Sequence, residues 1–307
     1  MKTCLFHLNN LTALHVGTGQ GVGVVDLPIA RSKATNLPIV PGSAIKGVLR
    51  DEIFWHLKSH DLYKHITNQD EQEKSIKQVI HTLFGKDKDA DHAGAVAFGD
   101  ANLLILPIRC FSGTVAYVTC AYILKQYQRD IVSDLKTPDN PKDIAQITHD
   151  SVLVVQDNTI ALEDLDIQSK QSNNAQDWAQ FIAKQLYPDG VTNAQEWREE
   201  FIKRFVVVPD NIFSFLADTA TEIRTRIRID RETGIVQEGA LWVEENLPAE
   251  SVLWGVLGVS QSRDKHTKMS EKQLAQLLPK EEINIKIGGK QTVGRGFCRL
   301  LIADQGE

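Results

Sequence analysis

The chain has 307 residues, 42% of them hydrophobic and 24% charged, with a formal net charge of −6. That balance describes a globular chain with a real core, arranged as one elaborated domain or two small ones. No run of about 18 apolar residues is present, so no membrane-spanning helix is expected, and the N-terminal residues lack a long apolar core or cleavage signature, so secretion is not expected. The acidic total counts against free, non-specific nucleic-acid binding, since phosphate neutralisation drives that affinity, but it leaves room for a local basic strip. Cys4, Cys110, Cys120 and Cys298 show no CxxC spacing, which argues against structural zinc and fits thiols in a cytoplasmic protein.

In chain order, residues 3–16 read as a strand that runs into a glycine-punctuated loop, with Gly17, Gly19, Gly21 and Gly23 alternating. LPIVPGS then leads to a helix for which Ser43 is the expected N-cap and Leu57 the expected end. Ile45, Leu49 and Ile53 make its apolar stripe, and Lys46 and Arg50 share a neighbouring face. Residues 60–93 are polar and charge-rich. AVAFGDANLLILPIRC and GTVAYVTCAYIL read as strands around a turn at Gly113. Residues 125–175 lack informative patterning. Helical stripes follow at Trp178, Phe181 and Ile182 and at Trp197, Phe201 and Phe205, all expected to face the core. Residues 219–243 are the clearest hairpin: Ile223, Thr225, Ile227 and Ile229 alternate with Arg224, Arg226 and Arg228, and Gly234 marks the turn. NIKIGG, the loop GGKQTVGRG and the strand FCRLLIA close the chain.

Little of this carries recognisable chemistry. Neither glycine loop has the P-loop or dinucleotide spacing, and no Ser-His-Asp or HExxH arrangement occurs. A tight surface turn explains the first loop equally well. The start of the helix at Ser43, with Lys46 and Arg50, is a candidate phosphate site, against the plain alternative of a solvated face. Three arginines on one strand face repel one another without anions, unless they only guard an edge. Gly289, Lys290, Gly294 and Arg295 form another loop suited to a sugar–phosphate backbone. Four such elements suit a long polyanion. Asp26, in the first loop, is the leading acid: it could accept a proton from a ribose 2′-OH or hold a divalent metal, and spacing does not choose between them. His15 and Glu238 are secondary candidates.

HVGTGQGVGVVDLPIARSKATNLPIVPGSAIKGVLRDE, LFG, HAGAVAFGDANLLILPIR, GTVAYVTC and GGKQTVGRGF together resemble the RAMP superfamily of CRISPR effector proteins, and within it the backbone subunits of type III-B (Cmr) complexes. The resemblance covers both ends and the middle strands. It implies an α+β fold: one RAMP domain over 1–307, with a modified ferredoxin-like (RRM-like) palm, insertions at about 60–93 and 125–215, and a thumb hairpin at about 219–245. It also implies a filament of copies along a crRNA with other Cmr subunits and a complementary target RNA, cytoplasmic and away from membranes. Asp26 would then be the catalytic acid, with a divalent metal (Mg or Mn) whose ligands are not assigned and no organic cofactor. Ser43, Lys46 and the 288–296 loop would grip the guide. The alternatives are a catalytically silent filament subunit and a lone RNA-binding RRM, which the acidic total and the missing aromatic motif disfavour.

Overall fold

The first strand, β1 (Lys2–Asn10), is buried on both faces from Cys4 onward, and strands flank both of its edges. The structure, a computed structural model, describes residues 1–19, 25–86, 93–131, 133–264 and 267–303. Gly21 and Gly23 of the first glycine loop lie outside the described residues. β1 stops at Asn10, six residues before the expected end. Leu11 and Thr12 both donate to the Phe297 carbonyl, and this doubled contact turns the chain out of the sheet.

β2 (Ile39–Val40) precedes helix α1 (Gly42–Ser59), whose stripe of Ile45, Leu49, Ile53 and Leu57 is fully buried as its spacing requires. Ser43 is not the N-cap. The helix begins at Gly42 behind Pro41, and the Gly42 N–H donates to the Asp100 carboxylate at 2.9 Å. Only glycine fits at 42, because a Cβ would overlap the Phe98 and Gly99 carbonyls. The polar 60–93 stretch holds a second helix, α2 (Gln69–Phe84), which Asn68 caps and which packs on α1 through Ile76, Ile80 and Leu83.

β3 (Val96–Phe98), β4 (Ala101–Cys110) and β5 (Thr114–Cys120) follow, with the turn at Gly113 as expected. After α3 (Ala121–Ile131), the unpatterned stretch contributes four short strands: β6 (Ile144–Ile147), β7 (Val154–Gln156), β8 (Thr159–Leu162) and β9 (Leu165–Gln171). Then come α4 (Asn173–Leu186), α5 (Ala194–Arg204), β10 (Phe205–Val208) and α6 (Asp210–Thr219). Trp178 and Phe201 are core residues. Trp197 is 54% exposed and stacks on Tyr187 instead, and Phe205 opens a strand rather than extending the helix. The hairpin is β11 (Glu222–Ile229) and β12 (Val236–Asn246); β13 (Val252–Val259), α7 (Glu271–Ala275), β14 (Ile283–Lys286) and β15 (Phe297–Ala303) complete the chain.

The main sheet runs β14-β15-β1-β13-β4-β5-β10-β6-β9-β8-β7. β4 belongs to both of its halves: its first half pairs with β13 and its second with β5. Cys110 also pairs with Leu162 of β8, so β4, β5, β10, β6, β9 and β8 close into a ring. The β11–β12 hairpin is a separate two-stranded sheet, with Ile223, Ile227, Ile229 and Leu241 left in solvent.

Candidate active site on the outer edge of the hairpin

β12 pairs with β11 along one edge, and its other edge would be open if β12 ended as an ordinary hairpin strand. Near its base that edge is occupied in strict order. The Val243 N–H donates to Asp26 Oδ2 at 2.7 Å, and Leu27 N–H donates to the Val243 carbonyl at 3.1 Å. The Glu245 N–H donates to the Leu27 carbonyl at 3.0 Å, and the Glu245 carbonyl receives His15 Nδ1–H at 2.7 Å. Leu247 and Leu14 then exchange both backbone bonds. Residues 14–15 and 26–27 therefore lie along one line, and the strand brings His15 and Asp26 to the same edge. Asp26 is exposed, and its Oδ1 has no partner among the described residues. A carbonyl can only accept, so His15 carries its proton on Nδ1 and turns Nε2 toward Gly17, where a side chain would come within 2.9 Å. His15 is buried and wrapped by both glycine loops: Gly289 N–H donates to its carbonyl at 2.9 Å, and Gly288, at φ +81°, has no room for a Cβ beside that oxygen.

Two adjacent acids on β12 face opposite ways and are both buried. Glu244 lies on the arginine face, where its Oε1 receives Trp242 Nε1–H at 2.7 Å and pairs with Lys290 Nζ at 3.1 Å. Burial pushes the Glu244 pKa up, but Trp242, Lys290 and Arg226 outweigh it and hold the carboxylate below its ordinary value. Lys290 also lies 5.4 Å above the Trp242 ring. Glu245 turns the other way, to Ile29 N–H (3.0 Å), Arg31 Nη2 (2.6 Å) and Thr221 Oγ1 (3.1 Å). Glu244, Glu245, Trp242 and Arg31 escaped the sequence reading. The available signal was two consecutive acids in the otherwise apolar run LWVEEN, which must find partners wherever the strand is buried.

The remaining candidates divide. Lys290 joins the site, while Arg295 is buried and its Nε has no partner among the described residues. Gly294, at φ +81°, faces open space. The arginine row does not wait for outside anions: Arg224 pairs with Glu222 at 2.6 Å, Arg226 faces Glu244, and only Arg228 stands clear in solvent. Glu238 is exposed on β12 five residues from Val243, about 16 Å along a strand, and so is not gathered with Asp26. On α1, Ser43 is exposed, and Lys46 and Arg50 share a half-buried face. Burial, then the Arg50 charge, lowers the Lys46 pKa. Among the described residues no three His, Cys, Asp or Glu side chains gather to hold a metal ion, and no helix is long and apolar enough to cross a membrane. A cleft of about 730 Å³ beside β15 is lined by His7, Lys184, Lys280 and Glu282 and includes none of the site residues.

A hairpin standing off a large sheet, with a loop acid strapped to its base, defines a class when set beside known proteins. The RAMP superfamily model matches residues 7–299, and the chain belongs to that superfamily. Within it the chain is 30% identical over 314 residues to the CRISPR system Cmr endoribonuclease Cmr4 of Pyrococcus furiosus, covering 99% of this chain and 97% of that protein. It is 25% identical to the Cmr4 subunit of Saccharolobus solfataricus, over 96% of this chain and 94% of that one. The fold is shared with crystalline oligomeric Cmr4 of P. furiosus (TM-score 0.70, 23% identity, all of both chains). It is shared too with a chain of the type III-B Cmr-beta complex bound to cognate target RNA (TM-score 0.71, 21% identity, 98% and 97% covered).

Proposed function

We propose that this chain is the backbone subunit of a type III-B CRISPR effector complex, which assembles along a crRNA and cuts complementary target RNA. The observation that carries the reading is the exposed Asp26 carboxylate, one oxygen fixed by the Val243 N–H and the other without a partner among the described residues. A base held in this way can accept the proton of a ribose 2′-OH. The 2′-oxygen then bonds to phosphorus while the 5′-oxygen leaves. Base pairing to the guide supplies sequence specificity, so this chain need only present Asp26 to a linkage already distorted into line, where orientation supplies much of the rate. Lys290, with Lys46 and Arg50, lies on the backbone-binding side of this reading. His15 acts by tying the loop to β12.

Asp26 also fits, in kind, a Mg²⁺ or Mn²⁺ ion: it offers a hard, exposed carboxylate oxygen, and such ions are commonly held by one or two carboxylates with water and phosphate oxygens. When bound, that ion would stabilise charge developing on the phosphate. The finer fold assignment belongs here as well. The antiparallel strands around β1 would be the ferredoxin-like palm and β11–β12 the thumb, working in the cytoplasm among further copies of this chain and other Cmr subunits.

The test is Asp26→Asn in the assembled complex. Retained assembly on guide RNA with lost cutting of a complementary strand supports the reading. Undiminished cutting refutes it and leaves a silent filament subunit in its place.

A further inference from the structure

Glu245 is 6% exposed and cannot itself meet RNA, yet it holds both flanks of the loop that carries Asp26. On the entering side its carbonyl holds His15 Nδ1–H. On the leaving side its N–H holds Leu27, and its carboxylate holds Ile29 and Arg31. The remaining contact, from Thr221 Oγ1, comes from the start of the hairpin itself. Arg31 extends the grip to the end of α6, donating to the Ala217 carbonyl and to Asp218 Oδ1, which also receives Asn36 Nδ2–H at 2.9 Å. A carboxylate is needed at this point. Ile29 N–H, Arg31 and Thr221 all donate, and an ionised carboxylate is the side chain that offers acceptors alone. A glutamine there would turn an NH₂ against one of those donors.

We propose that Glu245 is the positioning residue for Asp26: with Arg31 it sets where the Asp26 carboxylate stands relative to the hairpin. The proposal rests on the reading of Asp26 as the cutting acid. Asp26 is one residue from Leu27, which is bonded to β12 on both sides, and three from Ile29. Freeing Ile29 and Arg31 therefore removes the side-chain tether on the leaving side and leaves only backbone bonds, of Leu27 to β12 and of Ala30 to Val16, to hold it among the described residues. A displacement of about 1 Å at a reacting group can cost on the order of a hundredfold in rate.

The experiment uses the assembled, guide-loaded complex carrying E245Q, with R31K as a second variant that keeps the charge and loses the forked geometry. Single-turnover cutting at saturating target is measured beside target Kd, guide-dependent assembly and amide exchange of residues 25–31. E245Q is expected to slow cutting about tenfold or more and to speed exchange at 25–31. Target Kd and assembly are expected to stay within about twofold of wild type, with R31K intermediate. Wild-type cutting in E245Q, or a loss of cutting that merely tracks lost assembly, overturns the proposal. D26N run alongside separates the two ideas: an inert D26N with a fully active E245Q refutes positioning alone. A fully active D26N refutes the catalytic reading beneath it.

Discussion

Gly288 and Gly294 have the same backbone conformation, φ +81°, in the same loop, yet they differ in what surrounds them. At Gly294 an added Cβ meets nothing within 4 Å; at Gly288 it would lie well under 3.0 Å from the His15 carbonyl oxygen. Alanine at either position carries the left-handed penalty of about 1–2 kcal/mol. At 288 it must also push backbone from backbone by roughly 1 Å to reach an ordinary contact distance. The bond between the Gly289 N–H and the His15 carbonyl then fails, and leaving that buried group unpaired costs about a further 1–3 kcal/mol. G288A should therefore lose about 2–5 kcal/mol and G294A about 1–2, read from urea midpoints of the purified protein at constant m-value. In the assembled complex G288A should also cut more slowly than G294A, because His15 is the residue displaced. Equal losses for the two variants would refute the reasoning, since they would reduce the loop to its φ angles.

Burial lowers the His7 pKa to about 4, and Tyr127 faces Nε2 at 2.7 Å. The unfolded chain takes up that proton first, so the contribution of His7 is complete above pH about 6.5. It falls away toward pH 4, by at most about 3 kcal/mol, and a Tm series from pH 7 to 4.5 should show a slope that H7Q flattens. Lys290→Met should raise the Glu244 pKa, lower stability at neutral pH through the stranded carboxylate, and reduce the salt dependence of RNA binding by the loss of one phosphate contact, measured by titration across ionic strength. Ile227→Ser with Leu241→Ser should leave the Tm of the free protein nearly unchanged, because both side chains are already in solvent. A large drop would mean that the hairpin face is covered in the free protein.

What could be read from the sequence depended on whether a segment carries its own periodicity. The α1 stripe and the alternation of β11 each repeat over several residues, so their form follows from local spacing. β6 is four residues long and owes its existence to β9 and β10, which no local pattern encodes, whereas β7, β8 and β9 are short strands joined by two-residue turns at 157–158 and 163–164. Ser43 looked like a cap because capping preferences are local, whereas the group that meets the helix start, Asp100, is 58 residues from Gly42. The candidate site divides in the same way. Asp26 and His15 stood out by their place beside glycines, but the strand that aligns them belongs to the hairpin more than 200 residues on. The two acids of LWVEEN mark Glu245 only as a residue that needs partners; which partners it takes, at residues 15, 27–31 and 221, no local pattern encodes.

Both neighbours of β1 come from the last fifth of the chain: β13 supplies residues 252–259 and β15 residues 297–303. A strand carrying Leu5, Phe6 and Leu8 is thus made first and paired last. At about 5–20 residues per second, roughly 15–60 seconds of synthesis separate β1 from β15. Until β13 is made both edges of this apolar strand are open, and until β15 is made one still is, so it must avoid pairing with other chains. The ring of β4 to β10 can close meanwhile, because all its strands lie within residues 101–208. Chains truncated before residue 252 should therefore hold a folded ring and an orphaned first strand, and should aggregate through residues 2–10.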